Sequence, residues 1–155
     1  MNREALFKGK QIDNGEWVEG GILQTENWAS IFVCKDYQGG LNETPYSDVE
    51  EYEVIPKTVG QFIGRYDRSN KKIFENDIVI TKYGRKCAVV WFSSDKYNAW
   101  DLKPIGNYEC KAPDKYDMWN SENLEVVGNI FDDKTNKAME NTPPREFEQL
   151  KLEGF

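Results

Sequence analysis

The chain contains no histidine among its 155 residues. Histidine is the side chain whose ordinary pKa lies near neutrality, and it is the general base of Ser-His-Asp and Cys-His catalysis. Its absence excludes these nucleophilic mechanisms and zinc sites of the HExxH type. The glycine patterns GxGxxG and GxxxxGK[ST] are also missing, which excludes a standard nucleotide cradle. We therefore expect a protein that is not an enzyme and that needs no cofactor.

Cysteine is scarce as well, since Cys34, Cys87 and Cys110 lie far apart and form no CxxC pair. Isolated cysteines of odd number are typical of reduced thiols, so we expect neither a disulfide framework nor a metal site. Cys34 and Cys87 fall in apolar segments and are interpreted as small core residues. No apolar run approaches the ~20 residues that span a bilayer. Residues 1–10 lack the apolar stretch of a signal peptide, and we expect a cytoplasmic protein without membrane association.

Aromatic residues, by contrast, are abundant: they form 14% of the chain, with five Trp, eight Tyr and eight Phe. Such a composition favours β-strands. The net charge of −7 is unevenly distributed, because residues 1–56 carry −7, residues 57–86 carry +5 and residues 87–155 carry −5. An acidic protein is a poor nonspecific ligand for duplex DNA, since phosphate contacts supply most of that affinity. The basic segment 57–86 is nevertheless compatible with a local nucleic-acid-binding surface.

Short runs of β-forming residues, separated by turn residues, predict a mainly β fold of about eight to ten strands. The predicted strands are residues 6–12, 16–23, 28–34, 52–55, 59–63, 73–74, 78–82, 87–92, 99–102 and 124–131. The run at 87–92 is almost continuously apolar, which predicts that both of its faces are covered. Gly20 and Gly21 indicate a bulge or a close approach of another backbone. Residues 35–51 are interpreted as a long acidic loop.

The expected domain organisation has an N-terminal β lobe with the acidic loop (1–56) and a C-terminal barrel-like β lobe (57–132). One continuous domain over 1–132 is the alternative. A length of 155 residues is compatible with both. Residues 133–155 are interpreted as a tail with a short helix, because Thr142 can cap a helix whose first turn contains two prolines.

Four blocks occur in order along the chain. They are FKGK (7–10) with GEWVEG (15–20); VIP (54–56) with VGQFIG (59–64) and IFENDIV (73–79); VVWF (89–92); and LEVVGNI (124–130). In these blocks the chain resembles the YopX family of phage and prophage proteins. The resemblance implies an SH3-like or barrel-like β architecture and a bacterial host, and it assigns no catalytic residue. One departure is Asn76, where the family usually has glycine, and asparagine is tolerated at the positive φ of such a turn.

Basic and aromatic residues share two predicted turns, 65–72 and 82–86. The candidate nucleic-acid-binding residues are Arg65, Tyr66, Arg68, Lys71, Lys72, Lys82, Arg85 and Lys86, with Tyr83 between them. If both turns lie at the same end of the fold, the cations can hold phosphates while the aromatic rings stack on bases. The alternative is that these are ordinary charged turn residues, which keep a β protein soluble and block edge-to-edge pairing.

Tryptophans give a second candidate surface. Trp17, Trp28 and Trp91 lie in apolar strands and are interpreted as core residues. Trp100 and Trp119 flank irregular polar segments, so we expect them to contact a partner. The function that combines these observations is a noncatalytic interaction module that binds an unknown host or phage protein, forms a homo-oligomer and possesses no metal or other cofactor.

A carboxylate-based, metal-dependent enzyme is the last alternative. Asp132-Asp133, Glu75 with Asp77, and Glu50-Glu51-Glu53 could bind Mg²⁺ or act as an acid and base pair. The competing interpretation is that these residues are solvated strand ends and turn caps, since adjacent acidic residues are common at protein surfaces.

Overall fold

The structure is a computed structural model that describes residues 4–34, 49–106 and 120–132. Within these ranges it contains ten strands and two single-turn 3-10 helices, Pro56–Thr58 and Ser121–Asn123. The strands are β1 (Phe7–Lys10), β2 (Trp17–Gln24), β3 (Ala29–Cys34), β4 (Val49–Val54), β5 (Gly60–Tyr66), β6 (Lys72–Phe74), β7 (Asp77–Ile80), β8 (Lys86–Ser93), β9 (Asn98–Pro104) and β10 (Glu125–Asn129). The mainly β class and the expected number of strands are confirmed. The helix predicted in residues 133–155 lies outside the described residues.

The strands form two antiparallel sheets, with the orders β4-β3-β2-β1-β5-β6 and β10-β7-β8-β9. A closed barrel requires the two edge strands of a sheet to pair with each other. Among the described strands, β4 and β6 end the first sheet, and β10 and β9 end the second. The described part of the chain therefore forms two open sheets rather than a closed barrel. No helix in this part of the chain is long and apolar enough to span a membrane.

The chain divides into two compact units, Met1–Phe62 and Ile63–Phe155. The core of the first unit is formed by Ala29, Ile31 and Val54, which are completely buried. Ala29 and Ile31 alternate along β3 and so share one face of the sheet, and Ala29 is paired with Val54 of β4. The first unit is thus organised around the β3–β4 pair.

The strand β4 corrects the sequence analysis, which placed residues 35–51 in one loop. Val49, Glu50 and Glu51 instead pair with the last three residues of β3. Glutamate has a low β-propensity, so the acidic composition concealed the strand. The backbone hydrogen bonds to β3 stabilise β4 despite the low β-propensity of its glutamates. In the described sheet β4 is an edge strand, where charged side chains oppose unwanted pairing.

The close backbone approach predicted at the two glycines is present at Gly20. A Cβ atom at this position would lie 2.2 Å from the carbonyl oxygen of Phe32 on β3. At Gly21 the same carbonyl oxygen would be 3.9 Å away, which is an ordinary contact. Only hydrogen fits at Gly20, so this residue sets the close contact between β2 and β3.

The core of the second unit is larger and is contributed by β6 to β10 with the residue that precedes β10. Its buried members are Ile73, Val79, Cys87, Val89, Leu102, Leu124 and Val126. Cys87, Ala88, Val89 and Val90 are all buried, which confirms that both faces of β8 are covered along this segment. Cys87 is confirmed as a core residue. The β10 strand closes the described sheet beside β7, with a register shift between Val126 and Gly128.

Three residues of the first unit that were expected in its core are not fully buried. Cys34 is exposed at the last position of β3, beyond the buried part of that strand. Trp17 is only half-buried, and the ammonium groups of Lys8 and Lys10 lie over its ring, with Nζ atoms 4.8 and 5.6 Å from the ring centroid. Trp28 is also half-buried. The ring of Trp17 thus contacts cations rather than lying wholly in the apolar core.

Candidate nucleic-acid interface

The first basic turn joins β5 to β6 and is organised by the buried carboxylate of Asp67. Its Oδ1 atom accepts hydrogen bonds from the backbone N–H groups of Ser69 (2.9 Å) and Lys71 (2.8 Å). An aspartate that binds the backbone two and four residues further along closes the chain into a tight turn. The exposed side chains of Arg68 and Lys71 are therefore presented by a well-defined loop.

The same carboxylate connects this turn to β10. Its second oxygen, Oδ2, accepts a hydrogen bond from the backbone N–H of Val126 at 2.9 Å. The backbone N–H of Arg68 donates to the carbonyl oxygen of Leu124 at 2.9 Å. The Arg68 guanidinium also forms an ion pair with the carboxylate of Glu125. Three contacts thus attach the first basic turn to the start of β10.

The second basic turn joins β7 to β8 and contains the exposed ring of Tyr83. The backbone N–H of Thr81 donates to the carbonyl oxygen of Arg85, and that of Gly84 donates to the carbonyl oxygen of Thr81, both at 2.9 Å. Gly84 has a φ of 77°, which glycine adopts without strain. The Lys82 Nζ atom and the Arg85 guanidinium carbon lie 5.1 and 5.9 Å from the Tyr83 ring centroid. Two cations therefore flank an aromatic ring that is 54% exposed.

The two basic turns adjoin the same part of the fold. Glu125 is the Cα partner of Ile80, the last residue of β7, and the second turn begins at the next residue. Paired residues of antiparallel strands lie about 5 Å apart. Because Arg68 contacts Glu125, both turns meet at the start of β10. Of the predicted binding residues, Tyr66, Arg68, Lys71, Lys82 and Lys86 are exposed, and Arg65, Lys72 and Arg85 are half-buried. We call this set, with Tyr83, the basic–aromatic surface.

One acidic residue of this surface was missed by the sequence analysis. Glu125 lies 57 residues from Arg68 in the chain and carries no local signal, because its neighbours are ordinary strand residues. Only the pairing of β10 with β7 places its carboxylate between the two basic turns. Its carboxylate forms the ion pair with Arg68 of the first turn.

Two of the carboxylates considered as metal ligands, Asp77 and Asp132, accept backbone hydrogen bonds. The Asp77 side chain accepts hydrogen bonds from the Phe74 N–H (2.8 Å) and from the Asn129 Nδ2 group (3.0 Å). The Asp132 carboxylate accepts from the Asn129 N–H at 2.8 Å. Within the residues that the structure describes, no group of three His, Cys, Asp or Glu side chains could hold a metal ion. Asp133 lies outside these residues. The missed residue here is Asn129, whose side-chain amide donates to Asp77 and whose backbone N–H donates to Asp132.

A pair of tryptophans lies on the β8–β9 hairpin. The rings of Trp91 and Trp100 contact each other edge to face, with centroids 4.9 Å apart and an interplanar angle of 71°. Trp91 lies on the same face of β8 as the buried Val89, but it is 38% exposed, which corrects its interpretation as a core residue. The strand continues to Ser93, beyond its last buried residue Val90. Trp100 is half-buried against the core, and Trp119 lies outside the described residues.

A family model described as YopX protein matches residues 6–135, which is more than four fifths of the chain. The chain belongs to the YopX family. No curated protein matches the chain. Within the block at residues 73–79, Asn76 has a φ of 69°, which is the positive φ expected for this turn.

Proposed function

We propose that this YopX protein is a noncatalytic interaction module, encoded by a phage or prophage, that acts in the cytoplasm of a bacterial host. The observation that carries the proposal is the tryptophan pair on the β8–β9 hairpin, in which the ring of Trp91 is 38% exposed. Tryptophan is enriched at the energetically dominant positions of protein interfaces. The carboxylates of Asp67, Asp77 and Asp132 each accept a backbone hydrogen bond. These structural roles support the noncatalytic part of the proposal.

The geometry of the pair is suited to docking. Trp100 packs against the core of the second unit and holds the ring of Trp91 in place by edge-to-face contact. A partner that covers Trp91 therefore gains apolar burial while little side-chain freedom is lost. The expected partner is a host or phage protein with an apolar pocket large enough for an indole ring.

Affinity capture from bacterial lysate, with and without nuclease, tests this proposal. The informative variant is Trp91→Ala, and the matched control is Tyr97→Ala on the same hairpin. Tyr97 is 60% exposed, and its ring contacts that of Phe92. Phe92 follows Trp91 directly in β8, so the two side chains lie on opposite faces of the sheet. A protein that is retained by wild type and Tyr97→Ala, survives nuclease and is lost with Trp91→Ala supports the proposal. Equal retention by both variants contradicts it.

Self-association is part of the proposal, since a second copy of the chain can also cover the Trp91 ring. Light scattering coupled to size exclusion measures the mass of the wild-type protein. An oligomer that dissociates with Trp91→Ala and persists with Tyr97→Ala supports a homo-oligomer built on this face. A monomer at all concentrations contradicts it.

A second candidate function, nucleic-acid binding, is favoured by one specific observation: the two basic turns meet at the start of β10. Their exposed cations can contact successive phosphates, and the exposed rings of Tyr66 and Tyr83 can stack on unpaired bases. The net positive charge of residues 57–86 supports binding despite the acidic whole. We expect single-stranded or structured nucleic acid to be preferred to plain duplex.

Fluorescence anisotropy with a labelled oligonucleotide tests the second candidate. Arg68→Ala combined with Lys71→Ala removes two exposed cations of the first turn. Lys57→Ala combined with Lys96→Ala is the control, since it removes two exposed cations elsewhere. For single strands we expect the slope of log affinity against log salt to fall by about 1.4 in the first variant, because each phosphate contact contributes about 0.7. An equal effect of the two variants contradicts this site.

A further inference from the structure

The ion pair between Arg68 and Glu125 lies within the basic–aromatic surface. Both side chains are accessible to solvent, with exposed fractions of 54% and 37%. The backbone of each residue is fixed independently of the pair, Arg68 by its N–H bond to Leu124 and Glu125 by its place in β10. The side-chain contact can therefore open without unfolding either element.

A phosphate group is well suited to replace this carboxylate. An exposed ion pair is worth little, since solvent and salt screen it and two flexible side chains must be ordered. The planar guanidinium group of arginine binds phosphate oxygens in a bidentate manner. A carboxylate that remains charged within a Debye length, about 10 Å at 0.1 M salt, also repels any phosphate held by the neighbouring cations.

We infer that Glu125 restrains the basic–aromatic surface: its carboxylate occupies Arg68 in the free protein, and a nucleic-acid phosphate must displace it. This inference rests on the nucleic-acid candidate of the preceding subsection. It assigns Glu125 a role in specificity. A ligand that offers only phosphates competes directly with this carboxylate, whereas a ligand with unpaired bases gains further contacts on Tyr66 and Tyr83. Glu125 thereby reduces binding of bare phosphodiester chains more than binding of unpaired strands.

The test compares Glu125→Gln with Glu122→Gln. Both changes remove one negative charge, and Glu122 is exposed in the 3-10 helix just before β10 without an ion pair to a described residue. The probes are fluorescein-labelled oligothymidine of about 20 nucleotides, long enough for one binding module, and a duplex of the same length. We expect Glu125→Gln to bind oligothymidine about threefold more tightly than Glu122→Gln does. For the duplex we expect the ratio of the two affinities to be larger.

Arg68→Ala provides the second part of the test. If Glu125 acts by occupying Arg68, the affinity that Glu125→Gln gains beyond Glu122→Gln disappears when Arg68 is already alanine, which is the result expected of coupled residues. A difference between these two variants that persists in the Arg68→Ala protein overturns the inference. Equal affinities of Glu125→Gln and Glu122→Gln for both probes also overturn it.

The outcomes separate the inference from the function on which it rests. If the wild-type protein binds oligothymidine and Glu125→Gln binds it no more tightly than Glu122→Gln, the role of Glu125 is contradicted but the nucleic-acid candidate is not. The absence of an anisotropy change for every variant contradicts the nucleic-acid candidate and the inference together. Glutamine has the shape of glutamate, and Glu125→Asp serves as a second variant that keeps the charge but shortens its reach toward Arg68. We expect its affinity to lie between those of wild type and Glu125→Gln.

Discussion

Replacing Asp67 with alanine is expected to destabilise the second unit severely. The change removes a buried carboxylate that accepts three backbone hydrogen bonds, two from its own turn and one from Val126. The Val126 N–H is buried, so its loss of a partner costs about 1–3 kcal/mol. The N–H groups of Ser69 and Lys71 are partly exposed and can bind water, so each costs about 0.5–1 kcal/mol. The sum is about 3 kcal/mol, a large share of the ~5–15 kcal/mol typical of a folded protein.

Urea unfolding followed by circular dichroism measures this loss, and amide hydrogen exchange at Val126 locates it. Asp67→Asn is a graded variant. It keeps one oxygen for the turn but places an amide donor opposite the Val126 N–H, and we expect a loss of about 2 kcal/mol. Asp95→Ala is the control, because Asp95 is exposed in the β8–β9 turn. A surface change of this kind shifts stability by about 0.5 kcal/mol or less.

The result that would refute the argument is an Asp67→Ala protein within about 1 kcal/mol of Asp95→Ala, the lower end of the cost of one orphaned N–H group. Unchanged exchange protection of the Val126 amide would refute it as well, because the hydrogen bond from Val126 is the contact that the Asp67 carboxylate itself makes with β10. In either case the first basic turn would be held by its own sequence, and its attachment to β10 would contribute nothing measurable.

Three further predictions concern particular residues. Gly20→Ala should cost about 3 kcal/mol or more by urea unfolding, because its Cβ meets a β3 carbonyl at 2.2 Å, whereas Gly21→Ala should be nearly neutral. Asn76→Val should cost about 1–3 kcal/mol at a φ of 69° and Asn76→Gly should not, as thermal unfolding would show. In a Cys110→Ser protein, Ellman's reagent should label the exposed Cys34 rapidly and the buried β8 thiol only after denaturation, and rapid labelling of both thiols would contradict the structure.

Local sequence signals located most strands because they depend on residues that are neighbours in the chain. The apolar run of β8, the Gly20 contact and the left-handed Asn76 were all predicted from residue type, and the structure has each of them. Strand β4 was recognised only in part because its glutamates have little preference for β structure. Its pairing with β3 is a tertiary property, which composition does not encode.

The sequence also identified the residues of the basic–aromatic surface but not their arrangement. Arg68 and Glu125 are separated by 57 residues, and their contact depends on the hydrogen bonds that attach the first turn to β10. Trp91 shows the same limit: its apolar neighbours predict burial, yet β8 extends past the core and leaves the ring 38% exposed.

By itself, then, the sequence determined the mainly β class, the turn chemistry and the YopX membership, since each follows from local residue types and their order. Tertiary structure alone decided which distant charges meet and which aromatic rings remain uncovered. The physical reason is that ion pairs and burial depend on distances in space, and long-range strand pairing sets those distances.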